Sequence, residues 1–226
     1  MARYVLSLGG SLVAPEGGPD AEFLDKFRKI IQTRIQTGDS FYIVVGGGRV
    51  CRDYIVALQE LGITDNDTHD YMGIFTTHFN AHYVSLAFGL DPLGKVVLKP
   101  ENVPTETDLH ITGAGLQPGQ SSDAPTVQTA IKVGATAVIN LSNVAQVYTA
   151  DPSDDSNATS LSNLSWSEYL DIIPTDWSPG LSTPFDPVAS KLARDNGITV
   201  TILGPDLDNF QAYLDGDKFI GTVISD

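Results

Sequence analysis

Short apolar runs alternate with amphipathic stretches from one end of this chain to the other, and that alternation limits the fold more than any other feature. RYVLSL (3–8), FYIVV (41–45), KVVL (95–98), LHIT (109–112), TAVINL (136–141), ITVTIL (198–203) and FIGTVI (219–224) read as strands. Helical stretches fall between them, at 20–37, 49–61, 70–88, 123–134, 165–173, 186–196 and 206–214. Near-continuous apolar strands separated by helices predict an α/β fold whose mainly parallel sheet is covered on both faces. Its 226 residues suffice for one large domain or two closely packed lobes. Asp123 and Asp186 precede two of the helices as N-caps, with proline in the first turn and glycine at the far end.

Three strands run into glycine turns: LSLGGSLV (6–13), VVGGGRVCR (44–52) and GAGLQPGQSSDA (113–124). Glycine permits positive φ and close approach of another group to the peptide. In an open α/β sheet, turns at the carboxyl ends of strands border the ligand crevice, where backbone N–H groups hold phosphates. The polar loop 151–160 and the Pro/Ser/Trp-rich stretch 174–184 read as flexible segments beside such a site.

Other chemistries fit poorly. GLDPLGKV (89–96) puts Val96 where a P-loop needs Ser or Thr, and Cys51 stands where a dinucleotide fingerprint needs a small residue. The four histidines lack metal spacing, and no G-x-S-x-G elbow is present. Thirteen Lys and Arg against 28 Asp and Glu give 13 − 28 = −15, a field that repels nucleic acid and anionic membrane. No run of eighteen apolar residues occurs, the first ten residues lack the shape of a signal peptide, and the single cysteine, Cys51, cannot form an internal disulfide. A cytoplasmic location is the expectation.

The segments LSLGGSLV, VVGGGRVCRDYI, LQPGQSSDA, INLSNVAQVYTADP and FDPVASKLARDNGITVTI, closing with GTVI, together resemble the amino acid kinase superfamily, and within it the archaeal-type uridylate kinases. The resemblance runs nearly end to end. It implies a three-layer αβα sandwich, with an acceptor-binding and oligomerisation lobe over roughly 1–120 and an ATP-binding lobe over 121–226. It implies transfer of the γ-phosphoryl of ATP, accompanied by Mg2+, to UMP in a homo-oligomer, commonly a hexamer. By position, Gly9, Gly10, Ser11, Gly48 and Arg52 correspond to contacts of the ATP phosphates, and Ser142, Tyr148 and Asp151 to positions around adenosine. Gly47, Asp70 and the segment Leu116, Gln117, Pro118, Gly119, Gln120, Ser121 and Ser122 correspond to the UMP side. Asp123 corresponds to the organising aspartate, which orients cationic groups without acting as a nucleophile, and Lys191 to the lysine facing the transferred phosphoryl.

The chain departs from the family pattern at four places. Ser7 stands where many superfamily members have lysine, His78 where arginine is common, Leu116 where a polar residue is usual, and NVAQVY replaces NVDGVY. Two alternatives therefore stay open beside UMP kinase. One is a kinase of the same superfamily acting on another small acceptor such as isopentenyl phosphate. The other is a non-catalytic nucleotide- or oxyanion-binding storage protein on the same fold.

Overall fold

The computed structural model of the chain describes residues 2–92, 94, 96–97, 99–115, 117–150, 152, 155, 157–178, 181 and 183–226. Its first half runs β1 (Arg3–Leu8), α1 (Gly10–Val13), α2 (Ala21–Gln36), β2 (Ser40–Val45), α3 (Gly48–Glu60), α4 (Asn66–Ala87), β3 (Leu109–Gly113) and α5 (Asp123–Val133). The second half runs β4 (Ala137–Leu141), β5 (Val147–Tyr148), β6 (Ser160–Leu161), β7 (Asn163–Leu164), α6 (Trp166–Ile172), α7 (Pro187–Asp195), β8 (Thr199–Leu203), α8 (Leu207–Asp215) and β9 (Thr222–Ile224). Seven strands form one sheet in the order β3-β2-β1-β4-β8-β9-β7, and β5 pairs with β6 in a separate two-stranded ribbon. Every neighbouring pair in the main sheet is parallel except β8 with β9.

Period-2 alternation sorts the strand side chains into two cores. On one face, Leu6, Phe41, Ile43 and Ile139 pack with Phe27 of α2, Val84 of α4 and Phe210 of α8. On the other, Val5, Tyr42, Val138 and Val200 pack with Val127 of α5, Tyr169 of α6 and Ala189 of α7. The result is the three-layer αβα sandwich. Helix α3 has no buried residue of its own and lies against α4. The alternation also decides where Ser7 points: its neighbours Leu6 and Leu8 face the first core, so its hydroxyl faces α5 on the other side.

Two boundaries differ from the sequence reading. No strand covers Val96 and Val97; Lys95 and Leu98 of that expected strand lie outside the described residues. The side chain of Thr112 on the edge strand β3 instead donates a hydrogen bond to the Val97 carbonyl. Helix α4 begins at Asn66, not at 70, because the Asp65 carboxylate accepts from Thr68 N at 2.9 Å and caps it four residues earlier.

Candidate active site

The order of the sheet locates the site. From β1 the chain crosses to β2 and β3 on one side, and from β4 to β8 on the other, so the crevice opens at the carboxyl ends of β1 and β4. Gly9 N donates to Leu141 O across that gap at 2.8 Å. Here the first two glycine turns cross, backbone against backbone. A Cβ on Gly10 would lie 2.3 Å from Gly46 O, and one on Gly48, which sits at φ +65°, would lie 2.3 Å from the Gly10 carbonyl carbon. Neither position has room for a side chain, so this crossing, as well as any bound phosphate, requires the glycines.

Helix α4 braces the crossing from behind. Buried Asn80 donates to Gly46 O at 2.8 Å and to Gly47 O at 3.0 Å. One turn earlier, the Thr77 hydroxyl accepts from Ala114 N at 3.0 Å and so holds the start of the third glycine segment. His78 Nε2 lies 3.2 Å from Gly115 O, an arrangement in which the neutral ring donates. Burial holds its pKa below the ordinary imidazole value. Asp70 lies inside α4 and therefore does not cap it; its carboxylate accepts from Gly119 N at 2.6 Å and ties the third segment down.

Reached through Ser7 of β1 lies a pair of buried carboxylates. Asp123 accepts from the Ser7 hydroxyl at 3.0 Å and from Asp186 N at 3.2 Å. Asp186 caps α7, accepting from Val188 N at 2.7 Å and Ala189 N at 2.8 Å, while its other oxygen accepts from the Ser121 hydroxyl. That hydroxyl in turn accepts from Asp123 N at 3.0 Å. Asp186 thus acts as the expected helix cap, but the Asp123 carboxylate spends its hydrogen bonds outside its own helix. No ion pair reaches either carboxylate among the described residues. Burial first, and the neighbouring Asp186 charge second, push the Asp123 carboxyl up to about 7.

These parts line one cleft of about 500 Å³. Of the residues anticipated for ATP phosphates, Gly9, Ser11, Gly48 and Arg52 line it, and Arg52 donates to the Ser11 hydroxyl at 3.2 Å. Gly10 lies buried beneath them. On the acceptor side, Gly47, Asp70, Gln117, Gln120, Ser121 and Ser122 line the cleft, whereas Pro118 and Gly119 do not. Ser142 and Asp123 line it too. Tyr148 is carried away from the lining on the β5–β6 ribbon, paired with Ser160. Leu116 and Asp151 lie outside the described residues.

Lys191 does not reach the cleft. It projects from the exposed face of α7, and its ammonium donates to Thr175 O at 2.8 Å. Arg52 is consequently the one Lys or Arg among the described residues that line the cavity. Sequence reading missed Asp186, Asn80, Asn140 and Trp177. A usable signal existed for the first: Asp123 and Asp186 both open helices with proline close behind.

Residues 2–110 and 94–204 match the model of the amino acid kinase family. The chain belongs to that family. It is similar to a uridylate kinase of Haloquadratum walsbyi, 34% identical over 95% of this chain and 90% of that one. It is also similar to a uridylate kinase of Methanospirillum hungatei, 31% identical over 100% of this chain and 95% of the relative. The solved structure of uridylate kinase from Archaeoglobus fulgidus superposes with a TM-score of 0.79 at 30% identity, covering 99% of each chain.

Proposed function

We propose that this protein is a UMP kinase, transferring the γ-phosphoryl of ATP to UMP with release of ADP and UDP. One observation carries the reading: a single cleft takes in the glycine crossing, the acceptor segment and Asp123, the arrangement that in-line transfer between two bound phosphates needs. Near full-length relatives named uridylate kinase support the same acceptor over isopentenyl phosphate and over a storage role.

In this reading the triphosphate lies on Gly9, Ser11, Gly48 and Arg52, with adenosine toward Ser142, and UMP lies between Gly47, Asp70 and Ser121–Ser122. Bound phosphates bring negative charge to Asp123, so the transfer step needs cations there. Arg52 supplies one. Lys191 supplies another once its ammonium leaves the Thr175 carbonyl for the phosphates, and Asp123 orients it. The described residues hold no group of three His, Cys, Asp or Glu that could bind a metal ion, and the oxygens of Asp123 and Asp186 are already engaged. These residues do not build a metal site of their own, and Mg2+ comes as part of the Mg-ATP substrate.

The reading also makes the protein a homo-oligomer. Tyr71, Phe75, Phe79 and Leu86 form a stripe along α4 that is 46%, 59%, 68% and 54% exposed, suited to a second copy of the chain. Two measurements test the proposal. With Mg-ATP and a panel of UMP, CMP, dUMP, isopentenyl phosphate and N-acetylglutamate, turnover is fastest on UMP; equal or faster turnover on isopentenyl phosphate overturns the acceptor. In size-exclusion chromatography the protein elutes well above its 24.2 kDa monomer mass, at low and high salt, and a strict monomer overturns the assembly.

A further inference from the structure

The chain has two tryptophans, and their indole N–H groups have contrasting fates. Trp166 is 1% exposed in the α6 core, and its Nε1 donates to Ile198 O at 3.2 Å. Trp177, in the segment between α6 and α7, lines the cleft, yet its buried Nε1 has no hydrogen-bond partner among the described residues. A buried donor left unmatched is costly, which makes it a place to look for a missing acceptor.

The position of Trp177 indicates which acceptor is missing. Its neighbours in the lining include Leu181, Thr183 and Pro184, and the wall they form belongs with the residues that follow β4, Ser142 to Val144. The Asn140 side chain on β4 fixes that wall by donating to Pro184 O at 2.8 Å. The acceptor segment, Asp70 and Thr77 belong to the α4 side of the same cleft. Trp177 therefore stands on the side where the donor nucleotide lies in the reading above, on which this inference rests.

We propose that Trp177 is a binding residue for the donor nucleoside triphosphate: its indole N–H donates to an oxygen of that ligand, and its ring forms an apolar wall beside Leu181 and Val144. The arrangement suits an amphipathic ligand, since indole offers a flat apolar face and one donor on its edge.

The Trp177→Phe variant keeps an aromatic ring while removing the N–H donor together with the five-membered ring that carries it. Its KM for ATP rises about three- to tenfold, the range expected for one net hydrogen bond, with a smaller effect on kcat and none on the KM for UMP. Intrinsic fluorescence provides a second readout. Addition of a non-hydrolysable ATP analogue with Mg2+ changes the emission of the wild type, UMP alone does not, and the variant, which retains only Trp166, does not respond. An unaltered KM for ATP in Trp177→Phe overturns the proposal, and a raised KM for UMP instead overturns the assignment to the donor. Failure of the wild type to phosphorylate UMP is a different result: it defeats the kinase reading, while a wild-type emission change with the ATP analogue that is absent in the variant still places Trp177 where it senses the nucleotide.

Discussion

The glycine crossing and Asp123 line one cleft, and the crossing and the Asp123–Asp186 pair are built on opposite terms. At the crossing, loops 9–11 and 46–48 meet because neither carries a side chain at the contact. At the pair, two acidic side chains are buried together, with hydroxyls and backbone N–H groups donating to them. The first is a requirement of the fold that also keeps side chains from coming between the loops and a bound phosphate. The second is a cost to the fold, since burial beside a second acid disfavours the ionised form of Asp123. The contrast separates residues whose replacement destroys the protein from residues whose replacement silences it.

The sharpest break in that contrast comes from Gly48→Ala. The added Cβ would sit 2.3–2.4 Å from the Gly10 carbonyl group, at a φ of +65° that alanine adopts poorly. Overpacking and strain together are expected to cost roughly 3–5 kcal/mol, read as a lower denaturant midpoint, with activity lost alongside. A variant of wild-type stability would show that the loops can part freely.

Asp123→Asn should do the reverse. Turnover falls about 10²–10³-fold, because a preorganised charge contact in the transition state is lost, while KM values change little. At pH 8 the variant is as stable as wild type or more so in thermal melts, because a buried charge beside Asp186 has gone. Lys191→Ala lowers turnover comparably if its ammonium moves from Thr175 to the phosphates, and the double variant is little worse than the poorer single. Near-normal turnover in Lys191→Ala would reduce Lys191 to a surface tie on Thr175.

The smallest effect sharpens the carboxylate half alone. A raised Asp123 pKa means that the folded protein holds a proton that the unfolded chain has already released. The contribution of Asp123 to stability is therefore fully present below the ordinary carboxylate range, falls as pH rises toward about 7, and levels off above it. The groups facing this carboxyl are Asp186, Ser7 and Ser121, with the Tyr169 phenol, itself pushed upward mainly by burial, beyond them. Asp186→Asn keeps a good helix cap and removes one charge, so the decline between pH 5 and pH 8 should shrink by about 1–2 kcal/mol in chemical denaturation. An unchanged pH profile would mean that burial alone sets the Asp123 proton.

What the sequence disclosed follows the same division. Six of the seven expected strands and all seven expected helices form, because each lies in an apolar pattern of four or more residues in the sequence. The two-residue strands β5, β6 and β7 and the four-residue helix α1 are too short to do so. The glycine triplet was legible as a special turn, but its nearest reason, a second loop crossing it, joins residues 10 and 48, which only the sheet brings together. Asp186 read as a cap, which it is; its link to Asp123 through Ser121 spans 65 positions and leaves no local trace. Lys191 shows the converse. Its placement on α7 was readable, but the face it occupies turns it toward Thr175.

The crossing also has a consequence for how the protein is made. Gly10 and Gly48 meet only when Leu8 lies opposite Val45, the last pair in the β1–β2 ladder. A slip of one residue would turn every side chain of the slipped strand to the wrong face and carry the two turns past each other. Such a chain could pair its strands and still offer no phosphate loop. Nucleotide binding therefore proofreads the assembly of the sheet: the ligand recognises, and by mass action holds, only those molecules whose first two strands were joined in the correct register.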